Sequence, residues 1–121
     1  MMDAHELITR YEAGERDFSW ANLYQADLSG AVLSRAVLYH VNLSRANLKG
    51  ANLDRADLIG ADLHEANLHE AILTGANLRE ANLSKANLAW ADLSGAKVTS
   101  EQLGKAASLK GATMPDRTKH E

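Results

Sequence analysis

Two histidine–glutamate pairs, His64-Glu65 and His69-Glu70, are the one local cluster in this chain with side chains that hold a divalent transition metal. Imidazole nitrogens and carboxylate oxygens suit zinc or nickel. A site needs three or four of them aimed at one point, with further groups behind each ring to orient it. Serine, histidine and aspartate also occur, the types that serve as nucleophile, base and orienting acid, but no sequence signal gathers them. There is no cysteine, which excludes disulfides, thiolate chemistry and cysteine-ligated zinc. No glycine loop of the phosphate-cradling kind is present. Whether the two His-Glu pairs converge depends on the elements that carry them.

Those elements are repeats of five residues. Leucine recurs at every fifth position from Leu23 to Leu93, and alanine stands two residues before each, with Val41 the one exception. On an α-helix five residues advance a side chain by roughly 140°, so the leucines would wind around every face. On a straight strand an odd spacing would place successive leucines on opposite faces. The spacing works only if the chain turns within every repeat and returns each leucine to a common interior. Alanine and leucine, two apart, then share the inward face, and the other three positions face solvent.

A chain that turns the same way every five residues coils. Coils stacked at about the 4.8 Å spacing of neighbouring strands form a β-solenoid, bonded between coils by backbone hydrogen bonds. The residue before leucine is Asn or Asp in most repeats, a short polar side chain suited to bonding nearby backbone at a turn. Gly30, Gly50, Gly60, Gly75 and Gly95 occupy the last position of their repeats, where a turn calls for positive φ. The expected core is Phe18, Leu23, Leu28, Leu33, Leu38, Leu43, Leu48, Leu53, Leu58, Leu63, Leu68, Leu73, Leu78, Leu83, Leu88, Leu93 and Val98. The period alone leaves the number of sides per coil open.

The Ala-Asn/Asp-Leu-x-x run, read over residues 16–100, closely resembles the pentapeptide repeat family. The stretches 14–19 and 108–116 resemble the lead-in and ending of small cyanobacterial members. The resemblance implies an all-β solenoid, a right-handed quadrilateral β-helix with one pentapeptide per side, four per coil and about four coils. Under that geometry His64 and His69 fall on adjacent sides and point apart, which favours solvated surface over a metal site. The resemblance also brings an alternative function, since some members resemble duplex DNA in shape and charge and protect or inhibit DNA gyrase. That role requires a long, strongly acidic rod. Residues 16–100 hold eight Lys/Arg against nine Asp/Glu, a net of only −1, and Arg35, Arg45, Lys49 and Arg55 interrupt any acidic track. DNA mimicry is disfavoured.

The flanks read differently. Residues 3–13 form an expected helix with Asp3 as N-cap, Glu6 three residues on, and Leu7, Ile8 and Tyr11 on one face. Such a helix would cover the open first coil. Thr99-Ser100-Glu101-Gln102 opens a second short helix with a capping box, ending near residues 105–107. Beyond it, 107–111 and 112–116 return to the five-residue pattern as a closing partial coil, and 117–121 is expected to fray. The domain division is 1–15 capping helix, 16–100 β-helix, and 101–121 closing helix, partial coil and tail.

A solenoid filled with alanine and leucine leaves no concave site, so no enzyme, cofactor or metal is expected. Mixed charge, with a formal net of −3 at pH 7, argues against a nucleic-acid surface. No apolar run approaches membrane-spanning length, and the expected location is the cytoplasm. The expected partner is another protein, bound by a monomer or weak dimer. With residues twenty apart stacked in columns, Trp20, Val37, Tyr39 and Ile59 gather into an outward apolar patch, with Tyr24 around the corner and Trp90 a second candidate. The competing expectation is that the N-terminal helix covers Trp20 and Tyr24 and that Trp90 packs on the C-terminal cap.

Overall fold

The computed structural model describes residues 2–121. Every repeat turns. From Ala26 to Ala96 the N–H of the alanine that follows each turn donates to the carbonyl of the leucine three residues before it, as from Ala46 to Leu43 and from Ala51 to Leu48, both at 3.0 Å. The residue just ahead of that alanine takes positive φ at every fifth position, from Trp20 (66°) to Gly95 (67°), as the third residue of a type II turn must. Glycine fills five of these corners, while residues such as Arg35, Glu65 and Trp90 fill the others. The left-handed conformation costs an L-residue about 1 kcal/mol. Backbone bonds to the coils above and below outweigh that cost.

Parallel bridges link residues twenty apart, from Asp17↔Val37 through to Asn77↔Lys97. Twenty residues are four pentapeptides, so each coil has four sides. Inside, Leu23 through Leu93 are 2 % exposed or less, and the repeat alanines from Ala36 to Ala96 are buried with them. Ala21, Ala26 and Ala31 of the first coil are half-buried, because no coil lies above them. The outward Asn and Asp act at the turns: their Oδ1 accepts the N–H two residues on, as in Asn52 to Asp54 and Asp62 to His64, both 3.0 Å. Val32, Val37 and Ile72 stand at this position without an acceptor. Not every outward position is solvated, for Ser44 and Ala89 are buried.

α1 (Ala4–Glu12) has Asp3 as N-cap, its carboxylate accepting from the Glu6 N–H at 2.8 Å. Leu7 is fully buried in the core, with Ile8 and Tyr11 packed beside it. α2 (Ser100–Gly104) carries the expected capping box between Thr99 and Gln102. Gln102 also reaches out: its Nε2 donates to the carbonyls of Leu78 (2.7 Å) and Ala81 (3.0 Å). α2 thereby takes the place of one side of a coil, and the register beyond it is twenty-one, Asn87↔Ser108 and Asp92↔Thr113. Val98, expected in the core, is only half-buried, because the chain leaves the repeat for α2 directly after it.

The tail departs from expectation. Residues 117–121 do not fray from the surface: the chain turns at Asp116 and Arg117 and pairs Lys119 antiparallel with Thr113. Met114 N–H donates to Thr118 (2.7 Å), Gly111 N–H to His120 (2.8 Å), and His120 N–H to Ala112 (2.8 Å). These are the groups that a following coil would have satisfied. The chain supplies its own edge strand instead.

Candidate protein-binding face

The two His-Glu pairs stay apart. His64 Nε2 lies 2.9 Å from Glu65 and His69 Nε2 lies 3.2 Å from Glu70, each imidazole against the carboxylate next to it. Among the described residues no three His, Asp or Glu side chains are placed to hold a metal.

The twenty-residue register builds one aromatic cluster on the outer surface. Trp20 and His40, corner residues of successive coils, stack with ring centroids 4.5 Å apart and planes 6° from parallel. Tyr39 sets its edge against both, 4.3 Å from His40 and 6.0 Å from Trp20. The stack continues onto Gly60, where a Cβ would come within 2.5 Å of the His40 ring. A side chain at position 60 would lift His40 away from the coil. The Trp20 indole remains 69 % exposed and Tyr39 38 %.

Each residue of the expected patch has a definite place. Trp20, Tyr24 and Tyr39 are exposed, so α1 does not cover them. That helix sits toward the fourth side, where the Tyr11 hydroxyl donates to the Ser34 carbonyl at 2.7 Å. Val37 and Ile59 are half-buried and exposed only in part, a correction to the outward patch. Neighbouring rungs and side chains shield those positions once coils lie on both sides. His40 joins the cluster although it is not among the expected patch residues. Its signal was the spacing of twenty from Trp20. Val32 (55 %) and Ile72 (40 %) are also exposed, but Asn52 separates them in their column.

Trp90 is engaged elsewhere. Its ring lies against Gly111, whose Cβ would meet Trp90 atoms at 2.3–2.6 Å, and the Lys119 ammonium stands 5.9 Å from the ring centroid. Gly111 also has φ of +70°. Gly111→Ala therefore meets both a strained backbone and an aromatic ring. The expected cost is about 1–3 kcal/mol, read as a lower urea midpoint, with faster amide exchange at His120 as the tail loosens. An unchanged midpoint and unchanged exchange would show that the tail is not seated on Trp90.

Charge is uneven along the axis. Residues 1–34 carry Asp3, Glu6, Glu12, Glu15, Asp17 and Asp27 against Arg10 and Arg16, a net of −4. Arg10 bridges Glu6 and Glu15 (3.5 and 3.3 Å), and the Arg16 guanidinium lies 3.8 Å over the Tyr11 ring. The Ser19 hydroxyl, and then its N–H, hold the Asp17 carboxyl below the usual range, and Ser29 does the same for Asp27. Among the described residues no helix is long and apolar enough to cross a membrane.

Comparison with known proteins places this geometry. A crystal structure of a pentapeptide repeat protein, Rfr23 from the cyanobacterium Cyanothece 51142, is 45 % identical over 69 % of this chain, with a TM-score of 0.68. The match spans 57 % of that protein's length. HetL, a pentapeptide repeat protein involved in heterocyst differentiation regulation from Nostoc sp. strain PCC 7120, matches over 99 % of this chain and all of its own. At 24 % identity and a TM-score of 0.55 that likeness shows the fold alone. No curated protein matches. The model of pentapeptide repeats matches eight copies over residues 17–55, 39–75 and 61–99, and the chain belongs to the pentapeptide repeat family, whose members form right-handed quadrilateral β-helices.

Proposed function

We propose that the protein is a rigid, non-catalytic scaffold that binds another protein through the face of Trp20, Tyr39 and His40. Val37 and Ile59 form its half-buried floor, and Tyr24 stands at its margin. The observation that carries this reading is the Trp20–His40–Tyr39 cluster: three rings packed on one another, yet with the outermost indole mostly in water. Aromatic anchors held rigid before contact lose little entropy on binding. Val37 supports the same reading, because Asn or Asp at that position would gain the turn bond that Asp17 and Asp57 make one coil away on either side. In this scheme residues 1–15 close one end, residues 16–100 form about four coils, and residues 101–121 close the other. Trp90 belongs to the closure rather than to the binding face.

The test is affinity capture from source lysate with wild type and the Tyr39→Ala/Ile59→Asp pair, each first shown to be folded by its urea midpoint. Wild type is expected to retain proteins that the double variant loses. Equal recovery by both would remove this face as the site.

A further inference from the structure

The first coil has no rung above it, and its strand edge is largely open. Between internal rungs three bonds recur: Asn42 N–H donates to Ala21, while the carbonyls of Asn42 and Ser44 accept from Leu23 and Gln25. One coil earlier the equivalent groups are Asn22 N–H, Asn22 C=O and Tyr24 C=O. Among the described residues none of the three has a backbone partner. Asp17, Asp27 and Val32 on the other sides of that coil are likewise without backbone partners among the described residues, and only some end groups are covered. Tyr11 takes the Ser34 carbonyl, Gln102 takes those of Leu78 and Ala81, and Lys119 with its neighbours covers the last coil.

The Asn22–Tyr24 part of this edge has distinct surroundings. Trp20 and Tyr24, both exposed, flank it. Trp20 stacks on His40, which belongs to the next coil, so the other face of the indole looks past the first coil toward the N-terminal end. Glu12, Asp17 and Asp27 have no basic partner among the described residues, and Ser19 and Ser29 keep the two aspartates ionised. A second copy would bring the same acidic end, and like charge opposes that pairing. A basic segment is complementary.

We propose that this edge takes an extended, arginine-bearing segment of a partner protein as an added strand, with one guanidinium stacked on the free face of Trp20. The idea rests on the scaffold reading above and names the partner's chemistry. Backbone bonds to Asn22 and Tyr24 hold the strand, the mode of β-augmentation. A guanidinium over an indole face is the favourable cation–π pair, and Asp17 lies on the same side of the coil to attract it.

The probe is a short peptide alternating arginine with valine, alongside a counterpart with glutamate in place of arginine. It is titrated into the full ¹⁵N-labelled chain carrying Trp90→Phe, so that emission reports Trp20 alone. With the arginine peptide, exchange of the Asn22 amide is expected to slow about tenfold and Trp20 emission to change, while the glutamate peptide does neither. Trp20→Ala should weaken binding roughly five- to tenfold. Asp17→Asn should weaken it less and flatten its salt dependence. No binding of the arginine peptide, or binding that leaves the Asn22 amide unchanged, overturns the proposal. Protection of that amide rising with protein concentration in the absence of peptide also overturns it and assigns the edge to a second copy. Lysate capture that depends on Tyr39 and Ile59, with no effect at Asn22, would keep the scaffold reading and discard this one.

Discussion

Leu68→Ala is expected to lower the free energy of unfolding by about 2–5 kcal/mol, toward the upper part of that range. Leu68 is fully buried in the middle of the column. The cost of truncating a core leucine depends on how far its surroundings can close over the gap. Here they have little freedom. Leu48 and Leu88 occupy the same column one coil away on either side. Leu48 N–H donates to Asn67 at 2.7 Å, Leu68 N–H to Asn87 at 2.8 Å, and Leu88 N–H to Ser108 at 2.9 Å. Backbone bonds in two directions fix the spacing of those neighbours, so the cavity stays open. Leu23→Ala should cost less, since only α1 lies above that coil and can settle. Urea midpoints of the two variants measure the difference. Because each coil touches only its neighbours, the Leu68 variant should also show a reduced m-value as its two halves begin to unfold separately. An unchanged midpoint for Leu68→Ala would show that the leucine column is not the core.

That column was legible in the sequence because its signal is arithmetic. A period of five fits neither helix nor strand, so the turn in each repeat followed, and with it the inward Ala-Leu pair. The asparagine bonds followed too, from the chemistry of a short amide before a turn. The corners were only half legible. Glycine marks five of them, but Arg55, Glu80 and others adopt the same positive φ. Rungs on both sides impose that conformation against local propensity, so composition does not announce it. The pairing of Lys119 with Thr113 left no trace in the sequence either, since an edge strand is recruited by unmet backbone groups and not by side-chain pattern. As for the proposed binding face, Trp20, Tyr39 and Gly60 come together only once twenty residues are known to make a coil. The period of five does not contain that number.

Replacing Leu7 by Asp should have the second large effect. Leu7 lies fully buried among the first coil's core residues, and Phe18, Leu23, Leu28 and Leu33 are all 3 % exposed or less although no coil precedes them. An unpaired carboxylate is too costly to hold in that setting, so either it takes up a proton or α1 lifts away. Lifting is the easier course. Nine residues are too few for a helix to persist alone in water, and apart from its apolar face α1 is held mainly at Tyr11, by Ser34 and Arg16. The loss of Leu7 burial together with the undocking is expected to cost about 3–5 kcal/mol. Undocking also uncovers four large apolar side chains beside a strand edge that is already open at Asn22. Leu7→Asp should therefore associate through its N-terminal end, seen as concentration-dependent sedimentation, and be cut rapidly by protease within residues 1–15. Leu7→Ala separates the two consequences: it should lose about 2–4 kcal/mol and stay monomeric, because α1 can remain in place over a smaller cavity. A monomeric, protease-resistant Leu7→Asp protein with an unchanged urea midpoint would mean that α1 contributes nothing to closing the first coil.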